Sequence, residues 1–111
     1  MKISVVGSRA FDDYKLLRET LDEYDIDLIV SGGATGADSL AERYAKEENI
    51  NTMIFKPDWK THGKAAGFIR NRDIVVNGNL VVAFWDGVSK GTLSSINIAR
   101  KMNIETKIIR F

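Results

Sequence analysis

Four short stretches of this 111-residue chain carry residue types that handle anions and sugars: Gly7-Ser8-Arg9, Ser31 to Asp38, Lys56 to Lys64, and Trp85 to Thr92. Glycine lets a backbone approach a ligand, and N–H groups at a helix start present the positive end of a dipole to an oxyanion. Ser31, Gly32, Gly33, Thr35, Gly36 and Asp38 form a first such cradle, set between an apolar run, Leu28 to Val30, and a helix-compatible one, Leu40 to Glu48. Lys90, Gly91 and Thr92 open a second helix and form a second cradle, with Thr92 also placed to cap it. Gly7 and Ser8 offer backbone contacts beside Arg9, whose guanidinium fork suits a planar anion. Asp38 reads either as a helix cap or as an acceptor for ribose hydroxyls. Trp59 and Trp85 present faces on which a base can stack, although Trp85, directly after an apolar run, fits packing better. Neither the full P-loop pattern nor the dinucleotide GxGxxG fingerprint is present, which disfavours a generic ATPase or NAD enzyme; no cofactor is expected.

Composition removes other chemistries. With no cysteine, disulfides, thiolate metal sites and a cysteine nucleophile are excluded. His62 is the single histidine, too few nitrogen ligands for a common zinc site, so no metal is expected. A lone loop histidine with no identifiable partner fits a solvated side chain better than a general base. Sixteen basic and 15 acidic residues leave a formal charge of +1, so an anion must be met by local groups rather than by a bulk field. No apolar stretch approaches the roughly 18 residues of a membrane span. A cytoplasmic protein of one domain, residues 1–111, without membrane contact, is the expectation.

Hydrophobic periodicity supplies the elements that position these loops. Lys2 to Val6, Asp27 to Ser31, Asn51 to Phe55, Leu80 to Phe84 and Glu105 to Ile109 read as strands. Between them, helices are expected from Asp12 or Asp13 to about Asp25, over Leu40 to Glu48 with a Glu42–Lys46 surface pair, and over Ala65 to Val76. The last of these is expected to stop at a left-handed Asn77-Gly78, and a fourth helix opens at Gly91. The helix over 65–76 shows an apolar face of Ala66, Ile69 and Val76 and a mixed face of Gly67, Arg70, Asn71 and Ile74. The pattern βαβαβαβαβ implies an α/β fold: a three-layer, doubly wound sheet of about five parallel strands with about four helices. All strand C-terminal ends then lie on one edge, where the four chemistry-bearing loops converge.

Those residues in that order, together with Pro57-Asp58-Trp59 and the Arg70-Asn71 pair, resemble the SLOG superfamily, specifically its small YspA-type branch; relatives include the LOG phosphoribohydrolases and the DNA-processing protein A family. The resemblance implies a Rossmann-like nucleotide-binding domain, with Gly32, Gly33, Thr35, Gly36 and Asp38 shaping one side of a pocket, Gly91 and Thr92 the other, and Arg70 and Asn71 facing it. Where LOG hydrolases carry Pro-Gly-Gly before the Gly-Thr turn and a glutamate after it, this chain has Trp85-Asp86-Gly87 and Leu93-Ser94-Ser95. Serine cannot supply the negative charge that N-glycosidic cleavage asks of a carboxylate, which leaves Asp86 or Asp38 as the candidate catalytic groups. The leading reading is therefore a module that binds a nucleotide or nucleotide-derived small molecule, signalling nucleotides among them, with Asp86 counted in the binding set. A nucleoside or nucleotide N-glycosidase is the alternative. Single-stranded DNA binding ranks third and nucleic acid is disfavoured as a partner, because the charge is near neutral and no basic cluster with interleaved aromatics stands out. A homodimer is expected, since so small a chain gains by burying further apolar surface.

Overall fold

In the computed structural model, which describes residues 1–111, strand and helix alternate along the chain. The strands are β1 (Lys2–Gly7), β2 (Leu28–Ser31), β3 (Asn51–Ile54), β4 (Leu80–Trp85) and β5 (Glu105–Arg110). The helices are α1 (Tyr14–Leu21), α2 (Ala37–Glu47), the one-turn α3 (Trp59–His62), α4 (Ala66–Val76) and α5 (Lys90–Lys101), with a 3-10 turn, Gly63–Ala65, joining α3 to α4. All strands pair in parallel in the order β3-β2-β1-β4-β5. The chain winds outward from β1 in one direction and from β4 in the other. This is the expected doubly wound Rossmann-like sheet, and loops leaving β1 and β4 diverge at the reversal to open a crevice.

The strands alternate their apolar side chains between two faces. Ile3, Val5, Ile29, Leu80, Val82 and Phe84 pack with Leu17 and Leu21 of α1 and Ala41, Tyr44 and Ala45 of α2. Val6, Val30, Val81 and Ala83 pack on the other face with Ile74 and Val75 of α4 and Ile96, Ile98 and Ala99 of α5. Each large aliphatic side chain removed from water contributes about 1.5–3 kcal/mol, so the strand ends are held from both sides. Phe11 secures the loop after β1: its ring stacks on Phe84 with centroids 4.7 Å apart and meets Phe111 edge-on at 4.9 Å.

Several boundaries differ from the sequence pattern for local reasons. Asp13 caps α1 by accepting the Leu16 N–H at 3.0 Å, but the helix stops at Leu21, leaving Tyr24 packed against the core from the turn beyond. Residues 59–64, expected as loop, are helical because Asp58 accepts the Thr61 N–H at 3.1 Å. The Glu42–Lys46 pair is replaced by Arg43 and Glu47, 3.1 Å apart. On α4, Val76 is exposed while Ile74 and Val75 are buried, so the proposed apolar face is rotated. Neither Asn77 nor Gly78 is left-handed. Asn77 Nδ2 instead donates to the Asp73 carbonyl at 2.7 Å, and Gly78 is small because a Cβ would collide with Ser4. No helix is long and apolar enough to cross a membrane.

Candidate functional site

A cleft of about 790 Å³ opens at the C-terminal edge of the sheet, over the β1–β4 reversal. Val6, Gly7, Ser8 and Arg9 line it from β1, and Gly32, Gly33, Ala34 and Asp38 from the β2–α2 turn. Lys56, Pro57 and Trp59 follow β3, α4 contributes Gly67, Arg70, Asn71 and Ile74, and Ser89, Lys90, Gly91, Thr92 and Ser95 close it from α5. The convergence of loops expected from the sequence is thus realised in space.

The Gly7–Arg9 loop and the start of α2 are built against each other. Ser8 N–H donates to the Phe84 carbonyl at 3.0 Å, and the Ser8 carbonyl accepts the N–H groups of Phe11 and Ala37, both at 3.2 Å. Gly36 has φ +76°, and a Cβ there would run into the Ser8 carbonyl and the Arg9 backbone. Gly36 therefore shapes the site from behind, without lining it.

Arg70 and Asn71 form a strut between the cleft walls. Arg70 Nη1 donates to the Gly32 carbonyl at 3.1 Å and Nε donates to Asn71 Oδ1 at 3.0 Å, while Asn71 Nδ2 donates to the Gly91 carbonyl at 3.5 Å. A Cβ on Gly32 would lie 2.6 Å from Arg70 Nη1 and 2.9 Å from Asp38 Oδ2, so a side chain there would push the ends of both side chains out of place. The pair faces the cleft as expected, yet part of its donor capacity is spent holding the two cradles in register.

At the second cradle the N-cap is Ser89, whose side chain makes no capping bond, and Thr92 is buried one turn in. The first α5 N–H with a partner is that of Leu93, donating to the Ser89 carbonyl at 3.1 Å. The three N–H groups before it are the orphan donors of a helix start, and the residues that carry them line the cleft. Exposed Arg9, Lys56 and Lys90 stand around the same space and none belongs to an ion pair. Unsatisfied N–H groups, a dipole end and uncommitted cations are the groups that suit an anion.

Asp38 is 8% exposed, and its Oδ2 accepts the Ala34 N–H at 3.1 Å. It does not cap α2, whose N-cap is Gly36. Burial pushes its carboxyl above the ordinary value, opposed by the Ala34 N–H, the Arg70 charge and the Gly32 N–H.

Four nominated residues fall outside the lining. Ser31 is fully buried at the end of β2, with its hydroxyl unpaired. Thr35 is exposed on the outer side of its turn, and Gly36 lies behind the wall. Asp86 is consumed by its own loop: Oδ1 accepts the N–H groups of Val88 at 2.9 Å and Ser89 at 2.8 Å, and Oδ2 accepts the Ser89 hydroxyl at 3.0 Å. Those N–H bonds hold it below the usual carboxylate range and orient the approach to α5. Of the two candidate catalytic carboxylates, only Asp38 reaches the cleft. His62 is exposed on α3 and does not line it, and no cluster of three or more His, Asp or Glu could hold a metal ion. Lys56 was within reach of sequence reasoning as the cation directly following a strand. Ser95 was not, because its periodicity matches an apolar face.

Residues 1–62 match the family described as YspA, cpYpsA-related SLOG (YAcAr). The chain belongs to that SLOG family. Its relatives include the Gene 61 protein of Mycobacterium phage D29, 35% identical over 115 residues, a match covering 93% of this chain and 91% of that protein. In three dimensions this SLOG chain is similar to DNA processing protein A from Streptococcus pneumoniae, with a TM-score of 0.82, 22% identity and 99% of this chain covered. It also resembles DNA processing protein A from Helicobacter pylori, whose structure was described for its single-stranded DNA binding mode, with a TM-score of 0.74, 22% identity and 97% coverage. The chain spans 50% and 64% of those two proteins.

These neighbours correct one expectation. Nucleic acid was disfavoured as a partner from a near-neutral total charge, but this chain shares its fold with a protein whose structure was described for its single-stranded DNA binding mode. Total charge averages over the surface, whereas residues 56–72 carry Lys56, Lys60, Lys64, Arg70 and Arg72 against the single acid Asp58. Trp59 and Phe68 in that segment are 61% and 58% exposed, so aromatics and cations do interleave there.

Proposed function

We propose that this chain binds a nucleotide, or a small molecule built from one, through phosphate and sugar in the cleft at the β1–β4 reversal. The observation that carries this reading is the bare N-terminus of α5, with Arg9, Lys56 and Lys90 around it unpaired. Trp59 at the rim supplies a face for the base.

A thermal-shift and calorimetric panel of nucleoside 5′-phosphates and ADP-ribose tests it, with Gly91→Asp as the control. A compound at 100 times its Kd should add about 2.7 kcal/mol to stability. A Cβ at Gly91 meets nothing within 4 Å, and an acid in the first turn favours a helix, so this variant folds. Its charge opposes a phosphate on the α5 N-terminus, and affinity should fall at least tenfold. No stabilising compound, or equal binding by Gly91→Asp, would sink the reading.

A second reading, single-stranded DNA binding, is favoured by the likeness to DNA processing protein A and by exposed Trp59 and Phe68 among lysines. It predicts oligonucleotide binding that weakens steeply with salt and drops about tenfold in Trp59→Ala. Salt-independent anisotropy, or no effect at Trp59, would remove it.

A further inference from the structure

Asp38 is the one acidic residue lining a cleft otherwise furnished with cations and N–H groups. It is 8% exposed, forms no ion pair, and accepts one well-formed hydrogen bond, from the Ala34 N–H, with the Gly32 N–H a weaker second donor. Arg70 lies near enough for its charge to be felt, but its Nη1 and Nε are committed to the Gly32 carbonyl and to Asn71. A carboxylate has about four acceptor sites, so one buried beside a cleft and met by at most two backbone N–H groups keeps capacity unused at a desolvation cost. Helix capping does not account for it, since Gly36 is the N-cap of α2.

The charges in the cleft dictate which part of a nucleotide can meet this carboxylate. A phosphate is repelled by Asp38 and drawn to Lys90, Arg9 and the α5 N–H groups. A base is drawn to the exposed face of Trp59 at the rim. The sugar joins the two, and its hydroxyls are uncharged donors. Resting on the nucleotide reading, we propose that Asp38 accepts a hydrogen bond from the 2′-hydroxyl of the bound sugar, so that the cleft takes ribonucleotides in preference to 2′-deoxynucleotides. A DNA strand lacks that hydroxyl, so Asp38 also opposes the second reading at this position.

Calorimetric titration of the four ribonucleoside 5′-monophosphates and their 2′-deoxy counterparts tests this on wild type, Asp38→Ala and Asp38→Asn. Asp38→Asn keeps an oxygen for the Ala34 N–H and serves if the alanine variant unfolds on thermal denaturation. The wild type should prefer the ribo form at least tenfold, about 1.4 kcal/mol. Either variant should bring the preference within about threefold, by losing ribonucleotide affinity relative to deoxynucleotide affinity. Equal wild-type affinity for both sugars, or a preference that survives in the variants, overturns the proposal. Equal losses for both sugars also overturn it, because a purely structural role weakens them alike. If neither sugar form binds the wild type, the nucleotide reading itself fails and this assignment falls with it.

Discussion

The outer surface of α1 and α2 and the cleft edge use the same charged residue types in opposite ways. On the outer surface, Arg18 Nη1 sits 3.2 Å from Glu47 while its other nitrogens reach Glu48 and Asp22, and Arg43 Nε donates to Glu47 Oε2 at 3.1 Å. The Arg43 guanidinium also lies 3.8 Å from the centroid of the Tyr14 ring, and the Tyr44 hydroxyl donates to Asp22 at 2.7 Å. At the cleft edge Arg9, Lys56 and Lys90 form no ion pairs, and the single carboxylate is buried without one. Charges that satisfy one another hold two helices together. Charges left unsatisfied around a concave surface are the ones the proposed nucleotide binding would use, and unpaired groups mark candidate sites better than charge counts do.

The largest effect should come from Gly36→Val, which attacks the backbone joint beneath the cleft. With φ +76° and the Ser8 and Arg9 backbone in the way, the substitution should cost roughly 3–5 kcal/mol by urea unfolding. A loss below 1 kcal/mol would show that the two loops are not braced against each other and that the cleft edge is soft.

Next in size are Arg9→Ala and Lys90→Ala. Each should weaken nucleotide binding about five- to tenfold, near 1–1.4 kcal/mol, and leave unfolding free energy within about 0.5 kcal/mol. A stability loss above 1 kcal/mol in either would place these cations with the structural ones of α1 and α2 and collapse the contrast.

The joint at Gly36 also shows where the sequence was legible. Strand and helix positions followed from period, and the glycine-rich turns from composition, so the fold and most cleft residues could be named in advance. What Gly36, Ser31 and Thr35 do within their turn could not, because whether a residue lines a cleft or backs it depends on which backbone passes behind. Asp86 was misplaced for a similar reason: its loop wraps its own carboxylate, a contact set by turn geometry rather than by spacing. Phe11 gave no signal because an isolated aromatic has no periodicity, yet it anchors the Gly7–Arg9 loop through Phe84. Nucleic acid was discounted because net charge hides a segment such as 56–72.

On the paired side, Arg18→Ala should lower stability modestly at low salt, since its partners are partly solvated, and less at 1 M salt where exposed pairs are screened. Nucleotide affinity should not change. A binding defect would mean that the α1–α2 surface communicates with the cleft, so the two regions would not be independent.

The smallest effect, and the sharpest in sign, concerns the pH dependence of Asp38→Asn. Burial raises the carboxyl of Asp38 above its ordinary value of 3.8, so the folded protein holds this proton more tightly than the unfolded chain does. Wild-type stability attributable to this group is therefore full below about pH 3.8 and is lost as pH rises through the higher folded value. An asparagine does not titrate and carries no such loss. In urea titrations from pH 3 to 7, the variant should gain on wild type as pH rises, and the gap should close at the acid end. Glu47 on the outer surface has the opposite shift, its carboxyl held low by the Tyr14 hydroxyl and Arg43. If Asp38→Asn instead lost ground to wild type as pH rose, Asp38 would be a stabilised, satisfied carboxylate like Glu47, with nothing left to offer a ligand.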